Sequence, residues 1–180
     1  MNEVRLIGFT GVLSYRYASV RYVQEASLIK AGHVGVSPDA GNTIYGFHPT
    51  PESVSSLLPT QDVLDYLLQG HTLPSGVYDD TAIFWHAHQL SLVGAPTQVW
   101  QQIIPVSDTE FARIERELQV GVVAGDALGI PYRLSGKGPM PLDRDNCTTW
   151  PRRLGLPIPD VTGQITRAIR EIKRQGIPWP

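Results

Sequence analysis

The chain has almost no cysteine: Cys147 stands alone among 180 residues. A single thiol excludes an intrachain disulfide framework and any zinc site built from several cysteines. Charge is also sparse. Only 18% of residues are Asp, Glu, Lys or Arg, and the formal net charge is −2. That excludes a nucleic-acid binder held by a general basic field. Residues 81–107 carry no Asp, Glu, Lys or Arg, yet four glutamines, two histidines, Pro96 and Pro105 interrupt them, so no transmembrane segment is expected there. The start, Met1-Asn2-Glu3-Val4-Arg5, lacks a basic segment followed by an apolar one. No cleaved signal peptide is expected, which fits a cytoplasmic protein or one exported without such a signal. Repeats of 20–50 residues are absent. So are glycine-rich phosphate loops, since Gly136-Lys137-Gly138 lacks the flanks such a loop needs.

What is present points to one globular domain spanning 1–180. Hydrophobic residues make up 42%, and a chain of this size buries roughly 70% of its unfolded surface. The 17 glycines and 15 prolines imply many turns and short elements. The charges divide the chain into an acidic middle, with eleven acidic and two basic residues over 31–132, and a basic end, with nine basic and four acidic residues over 133–180.

The first half reads mostly as strand. Val4 to Phe9 and Ser19 to Val23 are short and β-rich. Gly32 to Ser37 and Thr43 to Phe47 flank Pro38-Asp39-Ala40-Gly41-Asn42, which is strong turn chemistry and predicts a hairpin. Gln61 to Gln69 reads as a short helix capped by Thr60 and ended by Gly70, with Val63, Leu64, Leu67 and Leu68 as its apolar face. Residues 81–93 and 97–106 read as two further strands. The second half turns helical. Ser107 and Glu110 form a capping box ahead of Phe111, Ile114 and Leu118. Asp160 is placed to cap a last helix with the stripe Ile165, Ala168, Ile169 and Ile172, stopped by Gly176. Strands first and helices later predict an α+β fold.

Three histidine and cysteine features can carry chemistry. With the hairpin loop centred on Ala40-Gly41, residue 36 faces 45 and His33 faces His48. Opposed residues of an antiparallel pair share a face with Cβ atoms about 4.5–5.5 Å apart, so the two imidazoles should sit side by side. Two edge histidines without a task are the plain alternative. Cys147 lies in Asp145-Asn146-Cys147-Thr148-Thr149-Trp150. Asn or Asp before it is good N-cap chemistry, which would set the thiol at a helix N-terminus, where backbone N–H groups favour the thiolate. An inert, buried thiol is the plain alternative. His86 and His88, read in a strand, would share one face as a polar groove wall or a two-ligand arm; no third ligand has a readable spacing, so no metal is assigned. The cluster Arg167, Arg170, Lys173 and Arg174 reads as a solvated helix face. Ser37 and Ser135 have no adjacent base.

Gly32-His33-Val34-Gly35-Val36, a turn, then Ile44-Tyr45-Gly46-Phe47-His48-Pro49 resembles the histidine hairpin of circularly permuted papain-like, NlpC-type cysteine hydrolases, a group that includes the lecithin:retinol acyltransferase-like proteins. Tyr132-Arg133-Leu134, a loop, Asn146-Cys147-Thr148-Thr149 and Leu154-Gly155-Leu156-Pro157-Ile158-Pro159 resemble their nucleophile block, with the histidine preceding the cysteine as in the permuted order. Residues 50–131 match no part of it and read as an insertion or cleft-shaping segment.

The resemblance implies an antiparallel half-barrel packed against helices, with Cys147 as nucleophile, His33 as general base and His48 orienting His33. The backbone N–H of Cys147 would supply one oxyanion donor, and no second donor is legible. Tyr45, Asn146, Trp150, His86 and His88 are the candidates for lining a substrate groove. No cofactor is expected. Amide cleavage in a peptide, an isopeptide or a cell-wall cross-link is the first expectation. Lipid acyl transfer, phospholipase or thioesterase chemistry is the second, and a non-catalytic binding module of the same fold is the third. Exported effectors and toxins also use the fold, and such a role would bring an inhibitory partner. Pro151, four residues after Cys147, implies that any helix there starts at Cys147 or is very short.

Overall fold

The computed structural model of the protein describes residues 1–10, 32–57, 60–61, 63–93, 98–124, 129–134 and 138–180. The expected strand Ser19–Val23 and Ser135 lie outside the described residues. The elements run β1 (Asn2–Thr10), β2 (His33–Ser37), β3 (Tyr45–Pro49), α1 (Pro51–Leu57), α2 (Val63–Leu68), β4 (Leu73–Asp79) and α3 (Thr81–Leu92). They continue as β5 (Gln98–Val106), α4 (Asp108–Ala124), β6 (Pro131–Tyr132), a 3-10 helix (Trp150–Leu154), α5 (Ile165–Gln175) and β7 (Ile177–Pro178). The fold is α+β: seven antiparallel strands in the order β6-β4-β3-β2-β1-β5-β7, packed against helices and not closed into a barrel.

β1 explains why the sheet is covered on both sides. Successive side chains of a strand point to opposite faces. Val4 and Leu6 join Val34, Val36 and Phe47 on one face, where Ile114 and Leu118 of α4 and Ile165, Ile169 and Ile172 of α5 cover them. Ile7 and Phe9 join Ile44 and Val99 on the other face, where Ile83, Phe84 and Ala87 of α3 and the ring of Trp179 cover them. A strand buried on both faces loses the polar alternation of a half-exposed one, which is why Val4 to Phe9 reads as a nearly unbroken apolar run.

The hairpin of β2 and β3 has the anticipated register, with Val36 opposite Tyr45 and Gly35 opposite Gly46. Its turn is built by side chains. Ser37 Oγ accepts the Gly41 N–H at 2.8 Å, and Asp39 Oδ1 accepts the Thr43 N–H at 2.7 Å. Gly41 has φ +95°, and a Cβ there would come within 2.8 Å of Trp179 Nε1. The capping box of α4 also forms, with Ser107 N–H donating to Glu110 Oε2 at 3.0 Å and Glu110 N–H donating to Ser107 Oγ at 3.2 Å.

Three sequence expectations need correction. The expected strand 81–93 is occupied by helix α3, because Ile83, Phe84 and Ala87 pack on the sheet at the i, i+1, i+4 spacing of a helical stripe. The segment 50–131, read as an insertion or cleft-shaping segment, contributes the strands β4 and β5 to the sheet. Leu68 is exposed, so the apolar face of α2 rests on Val63 and Leu67. Asp160 does not cap α5. It closes a turn by accepting the Thr162 N–H at 2.9 Å, and the helix begins at Ile165, where the apolar stripe begins.

Candidate active site

His33 opens β2 and His48 sits next to the end of β3, where cross-strand pairing sets their ring centroids 6.2 Å apart. The rings do not bond to each other directly. Between them lies Asp80, which sequence reasoning missed: His33 Nε2 donates to Asp80 Oδ2 at 2.8 Å, and His48 Nε2 donates to Asp80 Oδ1 at 3.1 Å. His48 Nδ1 donates to the Pro49 carbonyl at 3.1 Å. Both ring nitrogens of His48 therefore face oxygen acceptors. The face of His48 stacks on Tyr78 at 4.2 Å.

The local sequence explains how an aspartate reaches this position. Asp79-Asp80-Thr81 is the entry to α3, and an acidic residue there ordinarily caps the helix. Asp79 accepts the Thr81 N–H at 3.0 Å and does that work. Asp80 makes no side-chain cap bond. Its backbone N–H is tied to the Ile44 carbonyl at 2.8 Å, and its carboxylate is turned back under the hairpin. Gly46 leaves the room for it. A Cβ at Gly46 would lie 2.6 Å from His33 Nε2 and closer still to the Asp80 carboxylate.

Cys147 comes from a different part of the chain and meets the same cluster. Tyr132 bridges to Asp145, Arg133 N–H donates to the Asp145 carbonyl at 2.9 Å, and Asp145 N–H donates to the Pro131 carbonyl at 3.1 Å. The buried Asp145 carboxylate pairs with Arg152, at 2.9 Å, and with Arg153. Asn146 shapes the next turn: its Oδ1 accepts the Thr148 N–H at 2.9 Å, and its Nδ2 donates to the Gly163 carbonyl at 2.8 Å. Cys147 thus stands in a turn ahead of a 3-10 helix that begins at Trp150, and not at the N-terminus of an α-helix. Pro151, in the first turn of that helix, accounts for the short element.

Cys147 is a neighbour of the His33 imidazole and favours its protonated form, by charge and by hydrogen bonding. Thiol, imidazole and carboxylate are therefore gathered at one buried site. Burial disfavours charge on His33, but the charge of the Cys147 thiolate and the bonds to Asp80 outweigh it, so the imidazole is pushed up to about 10. Burial also works against the Asp80 carboxylate, yet His48 and His33 hold it well below the usual carboxylate range. All four side chains are enclosed: His33 is 4% exposed, His48 6%, Asp80 1% and Cys147 1%. Among the described residues, no group of His, Cys, Asp and Glu is arranged to hold a metal ion. At the site, the donors and acceptors point at one another instead.

The anticipated groove residues fare differently. Asn146 is fully buried and builds the nucleophile turn. Trp150 is buried and stacks on Phe47, with centroids 5.9 Å apart and planes 5° apart. Its edge meets a shallow groove of about 190 Å³ lined also by Val77, Val120, Ile130 and Leu154. Tyr45 is three residues from His48 and so lies on the opposite face of β3. His86 and His88 sit two apart on a helix and do not share a face. His88 packs against Trp179 at 5.3 Å and Trp85 at 5.6 Å. No protein family, curated protein or solved structure matches this chain.

Proposed function

We propose that the protein is a cysteine-dependent hydrolase that cleaves an amide bond, with Cys147 as nucleophile, His33 as acid and base, and Asp80 and His48 as the groups that position His33. One observation carries this reading: a buried imidazole that hydrogen-bonds a buried carboxylate and has a buried thiol as its neighbour. Nucleophilic catalysis needs that constellation, a base in reach of the nucleophile and a third group that fixes the base. The Cys147 sulfur attacks the carbonyl carbon and a C–S bond forms. The imidazolium of His33 gives its proton to the leaving nitrogen as the C–N bond breaks. Water, deprotonated by His33, then attacks the thioester; the C–S bond breaks, the carboxylic acid leaves, and His33 returns the proton to sulfur. Asp80 keeps the ring in one tautomer throughout, and His48 anchors the second oxygen of Asp80.

A second reading keeps the same residues and changes the substrate to an acyl ester or thioester of a lipid. The groove beside Trp150 favours it, since an alkyl chain fits the side chains of Val77, Val120, Ile130 and Leu154, although Glu117 and Arg153 also line it. Comparing thiol-dependent release of one long acyl group from an amide and from an ester separates the two readings.

The first test is alkylation of Cys147 by iodoacetamide at neutral pH. The wild-type thiol is expected to react at least about tenfold faster than that of His33→Ala, as follows from losing a charged partner. Equal rates would overturn the catalytic reading and favour a binding module.

A further inference from the structure

Asp145 is a fully buried carboxylate that the mechanism above does not use. It stands two residues before Cys147, and both arginines that reach it come from the 3-10 helix after the cysteine. Arg152 Nε pairs with Asp145 Oδ1 at 2.9 Å, and Arg153 Nε donates to Asp145 Oδ2. The other nitrogens of the two guanidiniums gather backbone carbonyls of the segment that leads to the nucleophile. Arg152 Nη1 donates to the Met140 carbonyl at 3.2 Å, and its Nη2 donates to the Pro141 carbonyl at 2.6 Å and the Arg144 carbonyl at 2.7 Å. Arg153 Nη2 donates to the Leu142 carbonyl at 2.8 Å. The ion pairs thus close a ring of chain that contains Cys147, from Asp145 on one side to Arg152 and Arg153 on the other.

We propose that Asp145 and Arg152 are positioning residues of the reaction, and that their pairing holds the Cys147 turn in the place from which the thiol works with His33. The inference rests on the cysteine-hydrolase reading and extends it. A buried ion pair is a weak source of stability, because taking both charges out of water offsets much of their attraction. What it supplies here is geometry. A guanidinium is a planar fork, and its bonds to a carboxylate and to several carbonyls fix direction as well as distance. The backbone of Asp145 is tied to the chain around β6, through the Pro131 carbonyl at 3.1 Å and the Arg133 N–H at 2.9 Å. Inside the ring, Asn146 closes the turn: its N–H donates to Thr149 Oγ1 at 3.1 Å, and its carbonyl accepts the Trp150 N–H at 3.0 Å. A shift of the Cys147 backbone against β6 therefore strains the buried pair.

The test is the rate of iodoacetamide alkylation of Cys147 in wild type, Asp145→Asn, Arg152→Lys and His33→Ala, with near-ultraviolet circular dichroism to check that each is folded. At about pH 10 an ordinary thiol, with its pKa of about 8.5, reacts without help, so the alkaline rate measures access. At neutral pH the rate depends on His33. We expect the ratio of neutral to alkaline rate to fall at least about fivefold in both variants, toward that of His33→Ala, since a misplacement of about 1 Å can cost as much as about 10²-fold. Arg152→Lys keeps the charge and loses the fork. Asp145→Asn removes a negative charge, which by itself would favour the thiolate and raise the ratio, so the expected fall has the opposite sign to an effect of charge. An unchanged ratio in Arg152→Lys overturns the proposal, with or without a lower melting temperature, and leaves the pair a support of the fold. So does a raised ratio in Asp145→Asn, which would show its carboxylate acting by charge alone. Should Asp145→Asn fail to fold, Arg152→Lys, whose side chain is 20% exposed, carries the test. An Arg152→Lys chain that does not fold makes the pair a requirement of folding and overturns the proposal as well. A wild-type ratio equal to that of His33→Ala defeats the hydrolase reading, and this inference with it.

Discussion

His33 is the residue on which the charges of the site converge. Its imidazole hydrogen-bonds a buried carboxylate and has a thiol as its neighbour, and the two push it up to about 10. In the unfolded chain the same ring loses its proton near pH 6.5. The folded value is the higher one, so the stabilisation is complete below about pH 6.5 and drains away as pH rises toward 10. Chemical denaturation across that window should show stability falling with pH. Cys147→Ala should flatten the fall, because it removes one of the charges that keep the ring protonated. NMR titration of the His33 ring should show its midpoint moving down in that variant and in Asp80→Asn. A midpoint unmoved by both substitutions would separate His33 from its two partners. Gly46 makes the complementary case about space. Gly46→Ala forces a methyl into the His33–Asp80 bond. Overpacking of this kind costs typically 1–3 kcal/mol. The rate of iodoacetamide alkylation should fall to that of His33→Ala, and a wild-type rate would show that the bond yields without consequence.

At the scale of elements, the hairpin was legible in the sequence and the helix beside it was not. Pro38 to Asn42 fixes both the length and the centre of the turn, and an antiparallel ladder then dictates that His33 approaches His48. No comparable local rule reveals Asp80. Its helix has no charged residue to mark a solvent face, and its β-branched and aromatic residues imitate a strand. The helical spacing of Ile83, Phe84 and Ala87 directly after Asp79-Asp80-Thr81 was the available signal. The nucleophile turn was half legible. Asn146 before Cys147 announces an ordered turn, and Pro151 announces a short element. Tyr132 joins the nucleophile turn through a bridge to Asp145, a long-range contact that no spacing encodes.

At the scale of the whole molecule, the first and the last strand belong to the same sheet. β1 is flanked by β2 and β5, and β7 adds to β5 at the edge. Trp179 follows β7, donates its N–H to the Val99 carbonyl at 3.1 Å, and buries its ring against Trp85 and the hairpin turn. Trp179→Ala removes a ring that is only 4% exposed. Losses of buried aromatics run to about 3–5 kcal/mol, which for a chain of this size lowers Tm by roughly 6–20 °C. A thermal melt within about 2 °C of wild type would show that the second core cluster does not depend on this ring. The substitution lies away from Cys147 and should leave its alkylation rate at low temperature unchanged.

The order of the two halves of the site has a consequence in time. The base precedes the nucleophile by 114 residues. At about 5–20 residues per second, a ribosome extrudes the hairpin roughly 6–23 s before it adds the cysteine. During that interval the nascent chain gains first the imidazoles and then the Asp80 carboxylate, but no thiol. The reactive pair therefore arises only once the nucleophile turn has been made, and a ribosome that stalls between the two blocks releases a chemically silent product.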